Sequence, residues 1–211
     1  MQSGIIVQHG HIPFRKTKSV RSDITGIVGF IQRSKWPEGH KKGDFIEIVI
    51  RHERDFVGNE FSACFDDATR HAVGQYFING GILAHVFGVC VDDYDDLSAP
   101  IEFTYGLQGL QFTQQEHWLN VLFGRLRAEE DISIICIPMA AYLPFEVYPN
   151  GEVYCDAEGL YSFFLAHCRE MNNRFLILDS PNGLHADLLV RWVDQFRKRN
   201  VQTASYGALY Y

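Results

Sequence analysis

Few residues in this chain of 211 stand at spacings that chemistry requires. His9-Gly10-His11 sets two imidazoles two positions apart. Such a pair can begin a metal site, but no third or fourth ligand is evident. Asp92-Asp93-Tyr94-Asp95-Asp96 concentrates carboxylates. It lacks the spaced ligands and the glycine of a calcium loop, so it reads as a solvated loop. His167 and Cys168 are neighbours on an expected helix, where adjacent side chains diverge by about 100° and make no nucleophile–base pair. Asp179-Ser180-Pro181 follows an apolar run and falls at the carboxyl end of an expected parallel strand, where α/β enzymes place functional groups. Aspartate is also a common turn residue there. The sequence has no G-x-G-x-x-G and no G-x-x-x-x-G-K-[ST], the two common phosphate cradles. It has no G-x-S-x-G elbow. Asn79-Gly80-Gly81 follows a helix, the wrong order for phosphate binding. The residues thus assign no catalytic, cofactor-binding or metal set. An α/β enzyme with a small-molecule site near Asp179 is the alternative they leave open.

The five cysteines, Cys64, Cys90, Cys136, Cys155 and Cys168, are odd in number and form no C-x-x-C. Cys90 and Cys136 lie inside apolar runs, so the set reads as small buried hydrophobes in a reducing compartment. Net charge is −7. It divides into +4 over residues 1–58 and −11 over residues 59–211. The acidic body argues against a direct nucleic-acid binder, which needs a basic face. The split fits a basic N-terminal segment meeting an acidic surface on another copy, or simply an uneven solvated surface. No apolar run approaches the roughly 20 residues of a membrane span, so no membrane insertion is expected. The N-terminus lacks the basic and apolar regions of a signal peptide.

The elements that would position these residues are legible in the periodicity. Gly4-Ile5-Ile6-Val7 is a β-prone segment set apart from the body by Gly10, Pro13 and the basic run Arg15-Lys16-Thr17-Lys18. An isolated strand must join its own sheet or another chain's edge. Ile24–Ile31, Phe45–Ile50 and Ile82–Val91 read as strands, and Trp36–Gly43 as a loop. Apolar residues from Phe61 to Phe77 recur at helical spacing and predict a helix over 59–79, stopped by Asn79-Gly80-Gly81. Trp118, Leu119, Leu122 and Leu126 form a second helical stripe. Ile132–Ile137 and Phe175–Leu178 are further strands, with Ala204–Tyr211 the last. Asp156 is expected to cap a helix over 157–172, and Asp187 one that ends at Arg199. Alternating strands and helices predict an α/β fold: a mainly parallel sheet flanked by helices, with an extended N-terminal β-arm. The arm is expected over residues 1–22 and the core domain over 23–211.

Taken in order, these segments resemble the contractile tail sheath family of bacteriophages and phage-tail-like injection systems. Gly4-Ile5-Ile6-Val7 is similar to the family's G-[VI]-x-[VI] arm, and Asp23–Phe30 to its T-S-x-x-A-F-V-G strand. Phe56-Val57-Gly58 stands where the family has a Phe followed by Phe-Gly. Gln75–Gly81 and Ala84–Val89 resemble its F-F-x-N-G-G helix end and the valine-rich strand after it. Asp131–Pro138 resembles its D-V-x-L-L-x-I-P strand. His167-Cys168-Arg169, Arg174–Pro181 and Ala204–Tyr211 are similar to its C-x-x-R, D-R-F-A-I-L-D-x-P and A-A-L-Y-Y-P-W pattern. The chain departs from the family at Gly88, where an arginine is usual, and at Asn173, where aspartate is usual. The family's long C-terminal part is absent, as in a truncated subunit or a reduced relative.

The resemblance implies a structural protein of a virion tail or injection particle, assembled in a bacterial cytoplasm, and not an enzyme. It implies hexameric rings stacked helically around an inner tail tube, with baseplate and tail terminator proteins as further partners. Its inter-subunit arm would be Gly4, Ile5, Ile6 and Val7. Contraction would be a rigid-body reorientation of packed domains that drives the tube through a target envelope. Heterologous strand exchange of this kind generates rings or open helices instead of closed dimers. It requires no cofactor.

Overall fold

The computed structural model describes residues 24–36, 43–97, 103–106, 109–112 and 117–210. The expected arm, Gly4–Val7, and the His9/His11 pair lie outside the described residues, as does most of the Trp36–Gly43 loop. In chain order the elements are β1 (Ile24–Gln32), β2 (Phe45–Ile50), α1 (Glu53–Val57), α2 (Asp67–Ile78) and β3 (Leu83–Val91). A hairpin of β4 (Phe103–Gly106) and β5 (Gly109–Phe112) leads to α3 (His117–Ala128) and β6 (Ile134–Cys136). A second hairpin, β7 (Phe145–Val147) and β8 (Val153–Cys155), precedes α4 (Ala157–Met171). The described chain closes with β9 (Phe175–Asp179), α5 (Ala186–Arg199) and β10 (Gly207–Tyr210).

The main sheet has six strands in the order β10-β9-β6-β1-β3-β2. Five are mutually parallel, and only β2 runs antiparallel, along β3. The expected α/β class with a mainly parallel sheet is therefore present. The chain goes from β1 out to β3, then crosses back over β1 to β6, β9 and β10. Leaving aside β2, this is the doubly wound order 2-1-3-4-5, with its topological switch between β1 and β6.

Side-chain alternation divides the core in two. Val28, Phe30, Phe87, Val89, Ile135 and Leu176 join Leu122, Phe163 and Trp192 of α3, α4 and α5 in one buried cluster. Ile27, Ile31, Ile50, Val86 and Cys90 join Phe56, Phe65 and Val73 in the other, under α1 and α2. Each face of the sheet thus has its own helices, as continuous apolar strands require.

Gly29 and Gly88 are register partners in the middle of β1 and β3. A Cβ on Gly29 would lie 2.6 Å from the Phe65 ring and from Thr69 Cγ2; one on Gly88 would lie 2.7 Å from Ile46 and 2.8 Å from Phe65. The Phe65 ring therefore fills the space that a side chain at either position would need. Gly88→Ala is expected to destabilise the fold by about 1–3 kcal/mol through overpacking, read as a lower urea midpoint at unchanged m.

Four boundaries differ from those expected. The helix expected from residue 59 begins at Asp67, because Asp66 caps it: its carboxylate accepts from Thr69 N at 2.7 Å. Residues 62–64 form a separate 3-10 turn. Asp156 makes no cap bond and already has helical φ and ψ. Cys155 N donates instead to Glu158 Oε1 at 3.4 Å, the glutamate half of a capping box. His185, not Asp187, occupies the N-cap of α5; Asp187 lies in the first turn, where its charge suits the helix dipole. The last strand starts at Gly207, after a 3-10 turn over Ala204–Tyr206.

Candidate functional site

Parallel strands aim their carboxyl ends at one edge of the sheet, where a doubly wound fold opens a crevice at its switch point. Here the crevice has two lobes. The first, of about 510 Å³, lies at the switch itself and is lined by Lys35, Asp66, Asp67, His71, Tyr94 and Tyr142. The second, of about 610 Å³, extends along the ends of β6, β9 and β10 and includes Pro138, Asp179, Ser180, Asn182 and Tyr210. Ala68, His71 and Tyr142 border both lobes.

The first lobe is already committed at its deepest charge. Both oxygens of the buried Asp66 are used, Oδ1 by Thr69 N and Oδ2 by Thr69 Oγ1 at 2.7 Å and Phe30 N at 3.3 Å. Asp67 forms an ion pair with Arg70. A helix N-terminus attracts anions, but here its own carboxylates supply the negative charge, which disfavours phosphate. Tyr94 Oη is buried without a hydrogen-bond partner among the described residues. Burial, with the charges of Asp66, Asp67 and Asp93, pushes its pKa up to about 12, so the phenol keeps its proton.

The second lobe holds the residue singled out in the sequence. Asp179 stands at the carboxyl end of β9, half-buried, with no side-chain partner among the described residues. Burial raises its pKa. The loop after it is tied down by backbone bonds, Ser180 N to Tyr210 O at 3.1 Å and Asn182 N to Ala141 O at 2.7 Å. Gly183 supplies the left-handed turn residue at φ 82°. The lobe is open, neither a deep pocket nor a filled surface. Asp179, Ser180 and Asn182 can hydrogen-bond a polar or cationic group there.

The remaining sequence candidates separate. Asp92 pairs with Arg33 at 3.1 Å, and Asp93 Oδ1 accepts from Tyr94 N at 2.6 Å, so the first two carboxylates of the acidic run have partners of their own. All five cysteines are free thiols. Burial pushes Cys90 and Cys155 up to about 11 and Cys136 and Cys168 up to about 12, which leaves those four protonated and unreactive. His167 is fully buried behind Phe123 and faces Arg174, with Nη1–Nε2 3.3 Å. Among the described residues no helix is long and apolar enough to cross a membrane.

One convergence was not read from the sequence. Glu47 on β2, His85 on β3 and Glu129 just beyond α3 bring ligand atoms within 4.8 Å of one another. The signal was a charged residue in the middle of one strand and a histidine inside a buried one. Their approach depends on the antiparallel β2–β3 register, which periodicity does not supply.

No protein-family model matches the chain, and no curated protein matches it.

Proposed function

We propose that this protein is a structural subunit of a contractile tail sheath. It polymerises into helically stacked rings around an inner tube and contracts to drive that tube through an envelope. The observation that carries the reading is the placement of the resembling segments. Those within the described residues fall successively on β1, the end of α1, the end of α2, β3, β6, α4, β9 and β10, which include all five parallel strands of the single main sheet. Gly80, with φ 90°, ends α2 at the N-G-G motif. Arg174, at the start of the R-F motif, ties α3 to β9.

The edges of the sheet suit such an assembly. Among the described residues, no strand pairs with the outer edge of β10. An open edge of this kind accepts a strand from another chain. The small-molecule site at Asp179 is the second reading, favoured by its half-buried carboxyl without a partner. Electron microscopy of the full chain decides between them. Rings or tubes are expected, and deletion of residues 1–10 is expected to leave the circular dichroism spectrum intact while abolishing ordered assembly. A full chain that stays monomeric at high concentration and ignores tube protein overturns the sheath reading and leaves the crevice as the site.

A further inference from the structure

We propose that Glu47, His85 and Glu129 form a three-ligand site for a divalent transition cation of the zinc class, at the end of the sheet opposite the crevice. The proposal is independent of the sheath reading.

The site follows from the sheet register. His85 pairs with Val49, and Glu47 pairs with Phe87, so Glu47 and His85 are diagonal neighbours on one face of the β2–β3 ladder. That face carries α3, whose C-terminal end brings in Glu129. Glu47 Oε1 and His85 Nδ1 are 2.9 Å apart. Adjacent ligands around a tetrahedral zinc, at metal–ligand lengths of roughly 2.0–2.1 Å, stand about 3.3 Å apart. The observed pair is already near that edge length, and the third ligand atom, within 4.8 Å of the others, needs to close by at most about 1.5 Å.

The donor set selects the ion. One imidazole nitrogen with two carboxylate oxygens suits zinc and its neighbours, whereas calcium and magnesium favour shells of oxygen. Burial favours the same assignment. The Glu47 and His85 side chains are only 10% and 11% exposed, while that of Glu129 is 33% exposed, leaving one open side for entry and for a fourth ligand.

A second layer holds the ligands in place. Arg125 binds Glu47 through Oε2, leaving Oε1 toward His85. This is how outer-shell partners orient a ligating carboxylate. The His85 ring lies against Phe87 with centroids 6.2 Å apart and an interplanar angle of 22°. Arg125 also stands 4.0 Å from Glu129 Oε1. Two carboxylates against one guanidinium leave a net negative charge for the cation to neutralise.

The test uses the full chain, freed of metal by chelator, with Zn²⁺ in titration calorimetry and Co²⁺ as the optical probe. One equivalent is expected to bind, with the intense visible bands of four-coordinate Co²⁺, and to raise the melting temperature. His85→Gln and Glu129→Gln are each expected to weaken binding at least about tenfold and to remove the bands. Glu129 is on the rim, so Glu129→Gln decides the matter if His85→Gln fails to fold. The chain has nine histidines, which could bind metal adventitiously. Unchanged affinity in both folded variants, or no saturable binding in the wild type, overturns the proposal.

Discussion

Replacing Arg174 by alanine is expected to cost about 3–5 kcal/mol of folding free energy. Arg174 is 4% exposed. Its Nη1 donates to Leu126 O at 2.6 Å, in the last turn of α3, and its Nη2 to Glu129 O at 3.0 Å just beyond the helix, a carbonyl that also accepts from Ile132 N at 3.3 Å. Nε donates to Asn173 Oδ1 at 3.1 Å, and Asn173 Nδ2 in turn donates to Glu130 O at 2.9 Å. Asn173 therefore accepts and donates at once. An ionised aspartate, usual in the resembled family, can only accept. Removing the guanidinium strands Leu126 O at about 1–3 kcal/mol, leaves Glu129 O with the longer bond from Ile132 N alone, and opens a cavity beside them. For a chain of this size the melting temperature should fall by roughly 8–15 °C. Arg174→Lys is expected to recover less than half the loss, because one ammonium cannot span carbonyls served by two nitrogens. A loss below about 1 kcal/mol for Arg174→Ala would mean that water replaces the guanidinium, and that the link from α3 to β9 is not a structural clamp.

This clamp also shows which parts of the fold can be read from sequence. The strands β1, β3, β6 and β9 are short apolar runs between turn signals, and α4 and α5 carry clear stripes. Local pattern therefore locates them, and the alternation of strand and helix gives the sheet class. Strand order is a different matter. Nothing in Ile24–Gln32 says that β3 will lie on one side and β6 on the other, because the choice is made by helices packing on both faces. The antiparallel pairing of β2 was equally hidden, and with it the approach of Glu47 to His85. Caps are ambiguous in sequence where two acceptors compete. Asp156 and Asp187 look like caps, but Glu158 is drawn inward by Trp192 Nε1 at 3.0 Å and Arg199 Nη2 at 2.7 Å, which fixes the start of α4 from α5. At the crevice, the position of Asp179 followed from the strand rule. The lobes beside it depend on α2 and on the turn after β6, which come from elsewhere in the chain.

Acid is expected to unfold this protein from a higher pH than its carboxylates alone dictate, because of His167. The ring is fully buried on α4. Arginine only donates, so Arg174 Nη1 fixes Nε2 as the acceptor. The ring proton then sits on Nδ1, which is buried without a partner among the described residues. Burial first, then the charges of Arg174 and Arg127, pushes the pKa from 6.5 down to about 2. The native state thus refuses a proton that the unfolded chain accepts below about pH 6.5. The unfolded state binds more protons throughout the interval between the two values, so stability rises with pH across it. The contribution is fully present above pH 6.5 and is lost as the pH falls toward 2, at about 1.4 kcal/mol per pH unit. Urea unfolding of the wild type and of His167→Leu, at pH 7.5 and pH 5.0, isolates it. The wild type should lose about 2 kcal/mol more than the variant between those two conditions, while the carboxylates common to both cancel. Parallel losses in the two proteins would show that the imidazole takes up its proton inside the fold, and that Arg174 yields to admit the charge.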